Sequence, residues 1–149
     1  RKLEIVRDLC NEYPNNKILV FSQYNETTNN LYWFLSSQGI KCKYIHSGLP
    51  MKEKHQVLKD YKDNKFNVLL ATKILDEGYN LVSLDMGIIL AGDNSLVQTI
   101  QRMGRILRKK DTKSKLIQIY LKNTFEEKQV KERTEIFKPL SDNFKEVEL

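Results

Sequence analysis

A chain of 149 residues is long enough for one domain with its own hydrophobic core and too short for two comfortable ones. No apolar run approaches the ~20 residues of a membrane span and nothing reads as a signal peptide, so we expect no membrane partner and an intracellular setting, prokaryotic or phage-infected cytoplasm or a eukaryotic nucleus. The net charge of +6 suits a nucleic-acid partner without demanding one.

Leu3, Val6, Leu9, Cys10 and Tyr13 recur at helical spacing, and Pro14-Asn15-Asn16 ends that first helix. Lys17 to Ser22 holds an unbroken Ile-Leu-Val-Phe, the pattern of a strand buried on both faces. A second helix is expected from Asn25 to Gln38, burying Leu31, Phe34 and Leu35, with Gly39 as its C-terminal cap. Cys42 to Ile45 reads as a short strand. A third helix runs from about Met51 to Lys62 and turns Val57, Leu58 and Tyr61 inward. Val68 to Ala71, Met86 to Leu90 and Leu116 to Leu121 are further buried strands, with helices near Ser95 to Arg105 and Phe125 to Phe137.

Strands that alternate with helices, each apolar throughout, predict an α/β fold with a parallel β-sheet covered by helices on both faces. In such sheets the working loops leave the carboxyl ends of the strands. Ser22-Gln23, His46-Ser47-Gly48, Thr72-Lys73 and Ala91-Gly92-Asp93 all fall at such ends. Cys10 and Cys42 form no C-x-x-C pair and read as small core hydrophobes in a reduced compartment. Residues 1–138 are expected to form the domain and 139–149 a loose tail. A first residue of arginine rather than methionine leads us to expect a piece of a longer protein.

The segment with most chemistry is Gln101-Arg102-Met103-Gly104-Arg105-Ile106-Leu107-Arg108. On a helix, Arg105 and Arg108 would point the same way. Two guanidiniums side by side repel each other, but each offers a planar fork of donors matched to phosphate oxygens. Gly104 argues against a merely solvated basic face, because glycine is about 1 kcal/mol worse than alanine in a helix. We read a phosphate-handling site. Yet no G-x-x-x-x-G-K-[ST] loop is present to cradle a β-phosphate, and no strand-ending acidic pair is placed to hold Mg²⁺. The arginines therefore form half a site, and another domain is expected to supply the rest.

Lys17-Ile-Leu-Val-Phe-Ser-Gln23, His46-Ser-Gly48, Val68-Leu-Leu-Ala-Thr72, Asp76-Glu-Gly-Tyr-Asn80 and Gln101 to Arg108 stand in the order and spacing of one known domain. Over about residues 1–137 the chain resembles the second RecA-like domain of superfamily 2 helicases and translocases, through the segments called motifs IV, V and VI. The glutamine that opens the last motif and its Arg-Ile-Leu-Arg ending resemble xeroderma pigmentosum group B-type, phage recombination and restriction-enzyme helicases.

The resemblance implies an ATP-dependent motor in which ATP and Mg²⁺ are bound mainly by a first RecA-like domain. Arg105 and Arg108 would then reach across the cleft as arginine fingers, a role worth roughly 10³–10⁵ in rate. Gln101 would sense the γ-phosphate or attacking water, and Arg102 would tie the two domains together. Gly78 and Asn80 would approach the nucleotide sugar. Thr72 would touch the nucleic-acid backbone, probed also by Lys73, Ser22, Gln23, Ser47 and Gly48, with double-stranded DNA favoured over RNA. A strand-end hydroxyl with nearby N–H groups can hold a phosphate without reading sequence.

His46 is read as structural, His55 as a surface residue with no metal-spaced partner, and Trp33 as packing rather than a base-stacking platform. Lys109, Lys110, Lys113 and Lys115 read either as a DNA-attracting run or as a solvated turn. The competing function is a non-catalytic nucleic-acid-binding or protein-interaction module on a degenerate RecA-like fold.

Overall fold

The computed structural model describes residues 2–46, 48–72, 84–91 and 115–137. Ser47, Lys73, Gly78, Asn80, Gln101, Arg102, Arg105 and Arg108 lie outside the described residues, as do the helix expected near 95–105 and the tail boundary after 138. Within them, the elements run α1 (Lys2–Glu12), β1 (Ile18–Ser22), α2 (Asn25–Ser37), β2 (Cys42–Ile45), α3 (Met51–Lys62), β3 (Val68–Ala71), β4 (Met86–Ala91), β5 (Lys115–Gln118) and α4 (Phe125–Phe137).

The five strands form one parallel sheet in the order β2-β3-β1-β4-β5. β1, with every residue buried, has a neighbour on each side. Because side chains alternate across a strand, its run of apolar residues feeds two cores. Ile18 and Val20 pack with Val6 and Cys10 of α1 and Leu31 and Leu35 of α2. Leu19 and Phe21 face the other way, with Tyr61 of α3, Phe66 and Ile45. The path from β1 through α2 to β2 moves outward along the sheet, and that from β2 through α3 to β3 moves back. Right-handed crossovers then require α2 and α3 to lie on opposite faces. Each large apolar side chain so buried stabilises the fold by about 1.5–3 kcal/mol.

Local chemistry agrees with the layers. Gly39 sits at φ +78°, where a glycine carries no Cβ penalty. Its N–H donates to Ser36 O at 3.1 Å and that of Ile40 to Leu35 O at 3.0 Å, the paired bonds of a Schellman cap that stops α2. At the start of α4, the Thr124 hydroxyl donates to Leu121 O at 2.5 Å, and Glu127 accepts from the Asn123 N–H at 2.8 Å. Lys2 ties three elements at one corner: its Nζ donates to Leu90 O at 2.9 Å and pairs with Glu126 of α4 at 2.6 Å. The β1–β4 register slips by one residue between Phe21 and Ser22, so Ser22 lies opposite Ala91. The carbonyl that Lys2 holds belongs to Leu90, the residue passed over.

Two expectations need correction. Trp33 is not packing: it is 65% exposed. Successive helical residues are about 100° apart, so Trp33 lies roughly 200° round α2 from Leu31 and faces solvent, its ring edge-on to Tyr32 at 5.4 Å. The last strand is shorter than expected, ending at Gln118, and its residues are exposed or half-buried. At the rim of the sheet it has, among the described residues, one strand neighbour, which removes the demand for a fully apolar run.

Candidate nucleic-acid edge

The strand order places the carboxyl ends of β2, β3 and β1 side by side, and with them His46, Thr72 and Ser22. Residues separated by tens of positions in the chain thus meet along one edge. Gly48 and Gln23 follow in the loops that leave it, and Asn25 opens α2.

At the β1 end, Ser22 is 1% exposed and its Oγ is engaged locally. It accepts from the Tyr24 N–H at 3.2 Å and donates to Tyr24 O at 3.4 Å, which shapes the turn into α2. Gln23 is half-buried and Tyr24 is exposed. At the β2 end, His46 is half-buried against the Tyr44 ring, with centroids 5.0 Å apart. The Gly48 N–H donates to His46 Nδ1 at 3.1 Å, and Leu49 N–H closes the turn onto His46 O at 3.1 Å. His46 is therefore structural, an acceptor that fixes the turn. A Cβ at Gly48 would sit 3.2 Å from that same nitrogen, a close approach that only glycine makes comfortably.

Thr72, at the β3 end, is buried, with both of its donors committed. Its N–H donates to Ile45 O at 3.2 Å, continuing the pairing with β2. Its hydroxyl donates to Asn25 Oδ1 at 2.8 Å. Tyr44 donates to the same residue, at 3.2 Å to the Asn25 main-chain oxygen and 3.4 Å to Oδ1. Burial pushes the Tyr44 phenol above its usual value, so it stays a donor at neutral pH. Asn25 and Tyr44 carry no mark of this edge in the sequence. Tyr44 reads as one more apolar strand residue and Asn25 as an ordinary helix start, and only the juxtaposition of β2, β3 and α2 reveals them.

Residues 1–110 match the family described as helicase conserved C-terminal domain. The chain belongs to this family. Two relatives illustrate the kinship of the helicase domain. It is 30% identical over 123 residues to DNA 3'-5' translocase XPB2 of Sulfurisphaera tokodaii, covering 83% of this chain and 27% of the relative. It is 32% identical over 101 residues to UvrABC system protein B of Xylella fastidiosa, covering 62% of this chain and 15% of the relative. The chain thus spans less than a third of the curated relatives it matches.

Among solved structures, the Hef helicase domain of Pyrococcus furiosus superposes with a TM-score of 0.69 at 28% identity, over 87% of this chain and 27% of that one. The C-terminal domain of the DEAD-box protein Dbp5 gives a TM-score of 0.77 over 94% of this chain and 80% of that one; at 18% identity it shares the fold. The architecture is that of a RecA-like helicase C-terminal domain.

Two further features among the described residues are packing contacts. Cys10 and Cys42 are buried free thiols, and burial, followed by the neighbouring Cys42, pushes Cys10 up to about 12. Lys115, exposed, donates to Tyr13 Oη at 2.6 Å and sits over its ring at 4.4 Å. Among the described residues, no group of three or more His, Cys, Asp or Glu is placed to hold a metal ion, and no helix is long and apolar enough to cross a membrane.

Proposed function

We propose that this chain is the second motor domain of an ATP-dependent superfamily 2 helicase or translocase that tracks along DNA, with duplex DNA the preferred track. Its membership in the helicase C-terminal domain family carries this reading. The layout of the described edge supports it, because Gln23, Gly48 and Thr72 come together at the carboxyl ends of three adjacent strands. XPB2, named a DNA translocase, lends DNA as the track. Ser22, Gln23, Ser47, Gly48, Thr72 and Lys73 line the backbone-facing edge in this proposal.

ATP and Mg²⁺ would be held mainly by a first RecA-like domain. Arg105 and Arg108 would complete that site by stabilising charge on the transferring phosphoryl group, with Gln101 beside them, Arg102 bridging the domains, and Gly78 and Asn80 near the sugar.

The test uses the full-length protein. Arg105→Ala and Arg108→Ala should each lower DNA-stimulated ATP hydrolysis by roughly 10³–10⁵, about 4–7 kcal/mol of transition-state stabilisation, while ATP binding by equilibrium titration stays largely intact. Undiminished turnover in both variants would favour the non-catalytic module instead.

A further inference from the structure

We propose that the nucleic-acid contact at the β3 end is made by the side-chain amide of Asn25, and that Thr72 is the residue which positions it. This inference rests on the reading of that edge as the nucleic-acid face.

Thr72 cannot serve as a phosphate donor in the arrangement observed. Its N–H is taken by Ile45 O and its hydroxyl proton by Asn25 Oδ1. It is also 3% exposed, which leaves little surface for a polyanion to approach. Asn25 has the complementary properties. It is exposed, and its amide oxygen faces inward, accepting from Thr72 at 2.8 Å and Tyr44 at 3.4 Å. An asparagine amide has one acceptor oxygen and two N–H donors on the opposite arm. With the oxygen held by two hydroxyls, Nδ2 is turned away from them, and it has no acceptor among the described residues.

The hydroxyls thereby fix which arm of the amide faces out. Had Asn25 been free to flip, it would present oxygen as often as N–H, and an oxygen repels phosphate. The one Tyr44 O–H proton is shared between Asn25 Oδ1 at 3.4 Å and the Asn25 main-chain oxygen at 3.2 Å, so the backbone at this position is held as well. A neutral amide donor of this kind grips the phosphate of any nucleotide without reading its base.

Affinity of the full-length protein for a fluorescent DNA duplex, measured by anisotropy across a salt series, tests the assignment. Asn25→Ala should weaken binding about tenfold, the scale of one hydrogen bond to a charged group. The loss should be equal for unrelated sequences, and the salt slope should not change, because a neutral amide displaces no counterion. Thr72→Val should weaken binding less, and the double variant should bind no worse than Asn25→Ala alone, since Thr72 acts through Asn25. Asn25→Asp keeps the acceptor for both hydroxyls while replacing the N–H donors, so it should bind at least as poorly as Asn25→Ala with an unchanged thermal midpoint.

Additive losses in the double variant, wild-type binding by Asn25→Asp, or a large loss in Thr72→Val beside a neutral Asn25→Ala would each overturn the inference. The last would leave the edge itself intact, with Thr72 as the direct contact. Neither single variant affecting affinity would overturn both the inference and the proposed nucleic-acid face.

Discussion

The Tyr61 hydroxyl donates a 2.8 Å hydrogen bond to the main-chain oxygen of Ile18, joining the last turn of α3 to the first residue of β1. The ring is 1% exposed, stacks at a tilt on Phe66 with centroids 5.3 Å apart, and has the Lys17 ammonium 5.2 Å from its centre. Burial, and then the negative charge of Asp85, hold the phenol well above its usual value, so it remains a donor throughout the range in which the protein is handled. Tyr61→Phe keeps the packing and deletes one buried bond. It should cost about 1–2 kcal/mol, read from urea unfolding as a lower midpoint at unchanged slope.

Trp33 is the only tryptophan and lies on the solvent face of α2. Its fluorescence should already resemble that of an exposed indole in the native protein, be quenched freely by iodide, and shift little on unfolding. Trp33→Ala should change stability by no more than about 0.5 kcal/mol, as expected of a surface site. A blue-shifted, protected emission would contradict the placement of α2.

The cap of α4 gives a pH dependence of known sign. The Asn123 N–H, then the Lys131 side chain, hold the Glu127 carboxyl below its ordinary value of 4.5. A depressed folded value means a stabilising contribution that is complete above the unfolded value and lost as the pH falls through the folded one. The difference in thermal midpoint between wild type and Glu127→Gln should therefore be largest near neutrality and close as the pH falls below the ordinary carboxylate value.

The sequence of 149 residues contains no G-x-x-x-x-G-K-[ST] phosphate loop. A purified 149-residue chain should show no ATP turnover, and its affinity for DNA should be weak, in the non-specific range of roughly 10⁻⁴–10⁻⁶ M, and should fall steeply with salt. Coupled-enzyme assay and anisotropy check these two outcomes. Sustained hydrolysis, or tight binding confined to one sequence, would contradict the proposed division of labour.

The parts of the fold legible in the chain were those with local causes. The helix ends at Gly39 and at Pro14 follow from backbone chemistry of one or two residues, and the fully apolar β1 and β3 announce burial on both faces. The strand-end positions Ser22, His46 and Thr72 could be assigned to one edge because parallel sheets collect their loops there. Trp33 was misjudged for a physical reason: neighbouring Leu31, Phe34 and Leu35 make the segment apolar on average, whereas burial depends on angle around the helix.

By itself, the sequence determined the order of elements, the parallel α/β class, the family resemblance and the identity of the arginines proposed to handle phosphate. These depend on residue type, short-range periodicity and the spacing of motifs, all of which are properties of a line. Which of these polar groups is engaged by which partner was decided only by tertiary structure. Thr72 and Asn25 are 47 positions apart, and Tyr44 and Asn25 are 19 apart. The sheet order β2-β3-β1 brings them within hydrogen-bond distance. A hydrogen bond is short and directional, so a donor's availability depends on what the fold puts beside it.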